Sequence, residues 1–363
     1  MNFPQLFKTS LFLLFPVLLF GNGDLQKVKH TKEKTIKKEF SVSSDATLEI
    51  NNSYGNLNIV TWNENRIVIE VHITVSSGNE EAAQKKLHNI GVQFQASRNR
   101  VSANTLFDKN NDRSWWDKFF DNNSVNMQID YLVKMPITND VDLNNDYGSI
   151  NLGKLQGRAV INCDYGKIVT EELMADNNSL TFDYSDGCYF EYIKSGTINA
   201  DYSGFTVAKA EDLNITADYT NSHVKIAEDV VFDCDYGSME INQANNIKGN
   251  GDYLTMRVGD VHKNIKLEAD YGSIHIDRMM KNAGDVLIST DYTGIEIGLQ
   301  PGYSFEFSID LEYASLETPD GFDFSREIRD SSESLYEGFF GNSNTGNSVT
   351  IESDYGNVEF YMN

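Results

Sequence analysis

The chain has 363 residues, with 54 Asp and Glu against 30 Lys and Arg, for a formal net charge of −24. That balance argues against nucleic acid as a partner, because its binders carry a basic footprint, and suits a soluble chain kept apart by self-repulsion. The six histidines follow no metal-ligand spacing, and the sequence holds no phosphate loop, zinc helix motif, nucleophile elbow or dinucleotide fingerprint.

Residues 1–23 read as a secretory signal: Lys8, an apolar run from Leu11 to Phe20, then Gly21 and Gly23 at the small positions of a cleavage site. The run is shorter than the ~20 residues a membrane span needs, and no cysteine follows it to take a lipid. The expectation is an exported protein of the periplasm or cell surface, with no transmembrane segment in the mature chain. Residues 24–39 hold six lysines between Lys27 and Lys38 and read as a basic linker or leading strand.

Residues 40–137 are expected to form a β-rich subdomain. Alternating runs mark strands at 46–50, 57–61, 66–75, 92–97, 100–106 and 125–135. One short helix is predicted over 79–90, with Ser77 or Asn79 as cap, Glu80 and Glu81 in the first turn, and Ala82, Ala83 and Leu87 as its apolar stripe. Residues 108–124 form a polar stretch carrying Trp115, Trp116, Phe119 and Phe120.

From residue 138 to 363 a short phrase recurs, seen best at Leu267 to Ile276 (Leu-Glu-Ala-Asp-Tyr-Gly-Ser-Ile-His-Ile). Asp precedes Tyr147, Tyr165, Tyr184, Tyr202, Tyr219, Tyr236, Tyr253, Tyr271, Tyr292 and Tyr355; Glu312 precedes Tyr313, and an outlying copy stands at Ser53-Tyr54. A period near 20 residues means stacked repeats, each burying its apolar face against its neighbours. Apolar or small residues at minus six, minus four and minus two share one strand face, as with Leu213, Ile215 and Ala217 before Tyr219. Continuing that period points the Tyr ring inward, and the Gly after it is read as supplying positive φ to the bend.

The fold class is therefore all-β: a parallel β-solenoid of about ten to eleven coils behind the N-terminal subdomain, interrupted by an insertion loop at 319–348 that carries Tyr336 and Phe339. Ten carboxylates stacked at ~4.8 Å would repel by about 1 kcal/mol per neighbouring pair in a water-like dielectric. Turn N–H groups are the expected compensation and bound calcium the alternative, although no Gly-Gly-x-Gly-x-Asp loop is present; no cofactor is otherwise called for. Cys163 and Cys234 lie in one inward column too far apart to bond, whereas Cys163 and Cys188 fall in neighbouring coils where a bridge is one alternative.

Asn51-Asn52-Ser53-Tyr54-Gly55-Asn56-Leu57, Thr61-Trp62 and Val71-His72-Ile73-Thr74-Val75, followed by the short helix, resemble the opening of the putative adhesin family of exported bacterial domains. The later Asp-Tyr-Gly-Ser-Ile repeats resemble that family's solenoid portion. The resemblance implies a β-solenoid at the cell surface or in the periplasm and transfers no site residues. The expected function is non-enzymatic: an adhesin-like or envelope scaffold protein whose rigid acidic face binds a glycan or surface protein. Trp115, Trp116, Phe119, Phe120, Tyr336 and Phe339 are the candidate contacts, or else lids on the solenoid ends. The alternatives are a polysaccharide-active β-helix enzyme and a purely structural assembly protein.

Overall fold

The protein is described by a computed structural model covering residues 29–107, 125–343 and 345–363. Residues 1–23, Trp115, Trp116, Phe119 and Phe120 lie outside the described residues.

The architecture is all-β, with one helix among the described residues. Most strands alternate buried and open positions, as in Ala159–Asp164 and Val286–Asp291, which is the two-residue period of a half-buried strand. Each repeat contributes one strand before its tyrosine and one after it, and each joins its own parallel ladder. In the first ladder Leu213 pairs with Val230, Val230 with Ile247, Ile247 with Ile265, Ile265 with Val286, and Val286 with Val349. In the second, Val207, Val224, Ile241, Val258, Ile276, Ile297 and Phe360 pair in succession. All of these side chains are buried. Register therefore stacks like on like, and burying each Val, Ile or Leu is worth about 1.5–3 kcal/mol. A slip of one residue would turn every one of them outward.

The repeat around Tyr54 joins the same two ladders, Ile50 pairing with Leu143 and Ile59 with Leu152. Its far side is met by strands Arg100–Phe107 and Asn126–Pro136. Beyond them the sheet turns antiparallel: Arg66–Ser77 lies between Asn126–Pro136 and the lysine-rich strand His30–Ser41. The helix runs Glu80–Asn89, Asn79 Oδ1 accepting from Ala82 N at 3.0 Å, and buries Ala83 and Leu87. Asn79 satisfies one of the amides that a helix N-terminus leaves without an intrahelical partner.

At the other end the order in space departs from the order in sequence. Strand Ser348–Asp354 inserts between Val286–Asp291 and Phe305–Glu312, so the chain's last repeat is sandwiched between the two before it. The stretch expected as a loop at 319–348 instead contains an antiparallel hairpin, Phe322–Arg329 and Glu333–Phe340, whose second strand pairs with Phe305–Glu312. Phe322 and Phe340 pack on Phe305 at 5.9 and 5.4 Å, closing an aromatic cluster over this end.

Candidate binding surface: an outward tyrosine column

Every repeat tyrosine adopts a left-handed backbone, with φ between 51° and 65° in all twelve. A strand that continued straight would carry the ring into the core; a positive φ at its end turns the ring out. The expectation of an inward column is thus overturned: eleven of the twelve rings are between 44% and 57% exposed. The residues at minus six, minus four and minus two do fill the interior, as Val230, Phe232 and Cys234 show. The two-residue period simply stops at the Asp.

The glycine explanation changes with it. Gly237 has no positive φ; its reason is close approach, since a Cβ there would stand 2.2 Å from the Thr220 carbonyl oxygen. Gly148, Gly166, Gly272 and Gly356 meet the carbonyl of the neighbouring layer in the same way. Where the position holds a hydroxyl instead, it is buried and bonded. Thr220 Oγ1 donates to Ala200 O at 2.9 Å and accepts from Ser203 N at 3.1 Å; Ser203 Oγ in turn accepts from Ser185 N at 3.0 Å.

The rings stack in one file: Tyr54, Tyr147, Tyr165, Tyr184, Tyr202, Tyr219, Tyr236, Tyr253, Tyr271, Tyr292, Tyr355 and Tyr313. Centroid separations run from 4.6 to 5.2 Å and interplanar angles from 2° to 12°. At the ~4.8 Å spacing of stacked strands the file is about 50 Å long. Each ring covers its neighbour's face, so the column shows solvent its edges and hydroxyls. Energetically the column is close to neutral. A left-handed non-glycine residue costs about 1–2 kcal/mol, and an aromatic pair returns about 0.5–1.5 kcal/mol. Core stability therefore gives little reason to keep twelve of them.

Beside the rings runs the carboxylate column. Asp201 Oδ1 accepts the backbone N–H of Asp218 at 3.2 Å, Asp218 that of Asp235 at 3.3 Å, and Asp235 that of Asp252 at 2.8 Å. Amides of the next layer are thus the compensation, as the turn reading expected. They do not cancel it fully. The carboxyls of Asp183 and Asp252 are held above the usual range, first by partial burial and then by the carboxylates of adjacent layers. Among the described residues no lysine or arginine pairs with the column, although acids elsewhere find partners, as Asp260 does with Arg278 at 2.9 Å. The phenols of Tyr165 and Tyr236 are pushed up in turn by burial, neighbouring rings and these acids.

Of the loop candidates within the described residues, Tyr336 is buried under Phe324 and Arg329, and Phe339 is half-buried in the same hairpin. Cys163, Cys188 and Cys234 are buried free thiols, pushed up by burial to about 12, 11 and 12 respectively. No described helix is long and apolar enough to cross a membrane. The sequence signal for the outward column was the polar company of each tyrosine, with Asp before it and Gly, Ser or Thr after it in most copies, which no inward strand position would keep.

No family model and no curated protein matches the chain. Among solved structures it is similar to a putative cell adhesion protein from Clostridium sporogenes, at 12% identity and a TM-score of 0.18, covering 92% of this chain and 100% of that one. It is similar as well to a putative adhesin from Parabacteroides distasonis, at 10% identity and a TM-score of 0.29, covering 73% and 93%. A third, a putative adhesin from Bacteroides fragilis, stands at 13% identity and a TM-score of 0.24, covering 90% and 97%. At such identities and scores the likeness gives no residue of this chain a role.

Proposed function

We propose that the chain is an exported, non-enzymatic, adhesin-like protein: a rigid β-solenoid of the cell envelope whose acidic, tyrosine-edged face binds a glycan or protein on another surface. The observation that carries this reading is the column itself. Twelve strained tyrosines stack their rings in one file, eleven of them exposed to solvent, at little net gain to folding. Charge agrees with a display role, because residues 138–363 hold 14 Lys and Arg against 40 Asp and Glu, a net of −26, while residues 1–137 hold 16 against 14.

The enzyme alternative needs free acids facing each other in a groove. The cavity of about 310 Å³ on the second ladder has Arg257 on Asp277 and Arg278 on Asp260, which leaves Glu240 without a facing free carboxylate among the residues that line it. The test is the triple variant Tyr219→Asn, Tyr236→Asn, Tyr253→Asn, since Asn tolerates the left-handed region. The labelled wild-type chain should bind cell surfaces and immobilised glycans or envelope proteins, and the variant should lose that binding with its circular dichroism unchanged. Equal binding by both would refute the reading.

A further inference from the structure

We propose that the tyrosine column is the docking surface for a linear aliphatic polyamine whose ammonium groups are three carbons apart. The inference rests on the reading of the column as a binding face and goes beyond the glycan or protein named there, giving the face a cationic occupant of its own.

Three observations select that class. Ring faces are closed by neighbouring rings at 4.8 to 4.9 Å around Tyr219, Tyr236 and Tyr253. A flat sugar or aromatic partner therefore has no face to stack on along the file, and only edges and phenol oxygens are offered. Charge complementarity sets the sign, because the carboxylates of Asp218, Asp235 and Asp252 flank the rings, Asp218 and Asp235 each giving one oxygen to the backbone N–H of the next layer, and among the described residues no lysine or arginine pairs with any of the three. Two such rods would repel, which removes a second copy of the chain as the occupant.

Register then sets the spacing. Layers repeat at about 4.8 Å, and standard C–C and C–N bond lengths put two amines separated by three methylenes about 5 Å apart when extended. A four-carbon spacer overshoots by about 1.5 Å per layer. An extended peptide laid along the column advances about 6.6–6.8 Å between side chains on one face and falls out of step. The three-carbon chain keeps each ammonium level with one carboxylate and one phenol, while its methylenes lie along the ring edges.

Calorimetric titration of the whole chain at low salt tests this with two amines, bis(3-aminopropyl)amine and bis(4-aminobutyl)amine. The three-carbon amine should bind at least about threefold more tightly, even though its shorter methylenes bury less apolar surface. The variant Asp218→Asn, Asp235→Asn, Asp252→Asn keeps the amide acceptors and should weaken it at least about tenfold, the scale of one lost ionic contact. The variant Asp212→Asn, Glu228→Gln, Glu240→Gln removes the same charge off the column and should change affinity less than about twofold. Equal losses in both variants, no preference between the amines, or no binding would each overturn the proposal. Should surface binding depend on the tyrosines while neither amine binds, the binding-face reading stands and this inference falls.

Discussion

The ring of Tyr236 lies 4.8 Å from that of Tyr219 with the two planes 3° apart, although both are about half exposed. The same pair of residues carries the strain that makes this possible, at φ 54° and 53°. Local backbone cost and ring stacking are thus coupled at each layer, and substitutions can separate them.

Tyr236→Asn gives up two stacking contacts and gains a residue more at ease at positive φ, so it should lose only about 1 kcal/mol. Tyr236→Val loses the same contacts and places a β-branched residue there, and should lose about 3 kcal/mol. Urea unfolding of both variants measures the difference.

Two glycines give opposite outcomes. Gly237→Ala forces a Cβ to 2.2 Å from a backbone oxygen and should cost about 3 kcal/mol, whereas Gly294→Ala meets nothing within 4 Å and should stay within about 0.5 kcal/mol of wild type. Thermal melts decide it. An equal effect at both positions would refute the close-approach account.

Because the folded carboxyls of Asp183, Asp252 and Asp291 are raised, their contribution is present below the ordinary carboxylate value and is lost as pH rises through the folded value. At neutral pH these charges therefore oppose folding. The variant Asp183→Asn, Asp252→Asn, Asp291→Asn should be more stable than wild type at pH 7, and added salt should narrow the gap by screening. Denaturant midpoints at low and high salt provide the check. Paired acids such as Glu70 and Glu268, whose carboxyls are lowered, run the other way and are lost as pH falls.

The three thiols should be inert in the native state, being buried and titrating far above neutrality. An alkylating reagent at pH 8 should label none natively and all three in denaturant. Fewer than three in denaturant without reductant would reveal the Cys163 to Cys188 bridge, which the free thiols of the structure oppose.

Much of this architecture was legible because alternation is a direct report of burial. Leu213, Ile215 and Ala217 announce their face, and the 17-residue step to Val230 announces the stacking. The direction of the tyrosines was not legible from the period, because periodicity describes a strand and says nothing about where the strand stops. One left-handed residue reverses the outcome. The insertion of Ser348–Asp354 between earlier repeats was equally hidden, since Val349 suits a layer beside Val286 as well as one beside Phe307 and it pairs with both. Interchangeable layers carry no record of their order.

The central claim, a continuous ring column open to solvent, is tested most directly by hydroxyl-radical footprinting of the native chain read by peptide mass spectrometry. The account predicts strong oxidation of Tyr219, Tyr236 and Tyr253 with protection of the core residues Tyr131 and Tyr303, which are at most 1% exposed. Protection of the repeat tyrosines to the level of Tyr131 would contradict it.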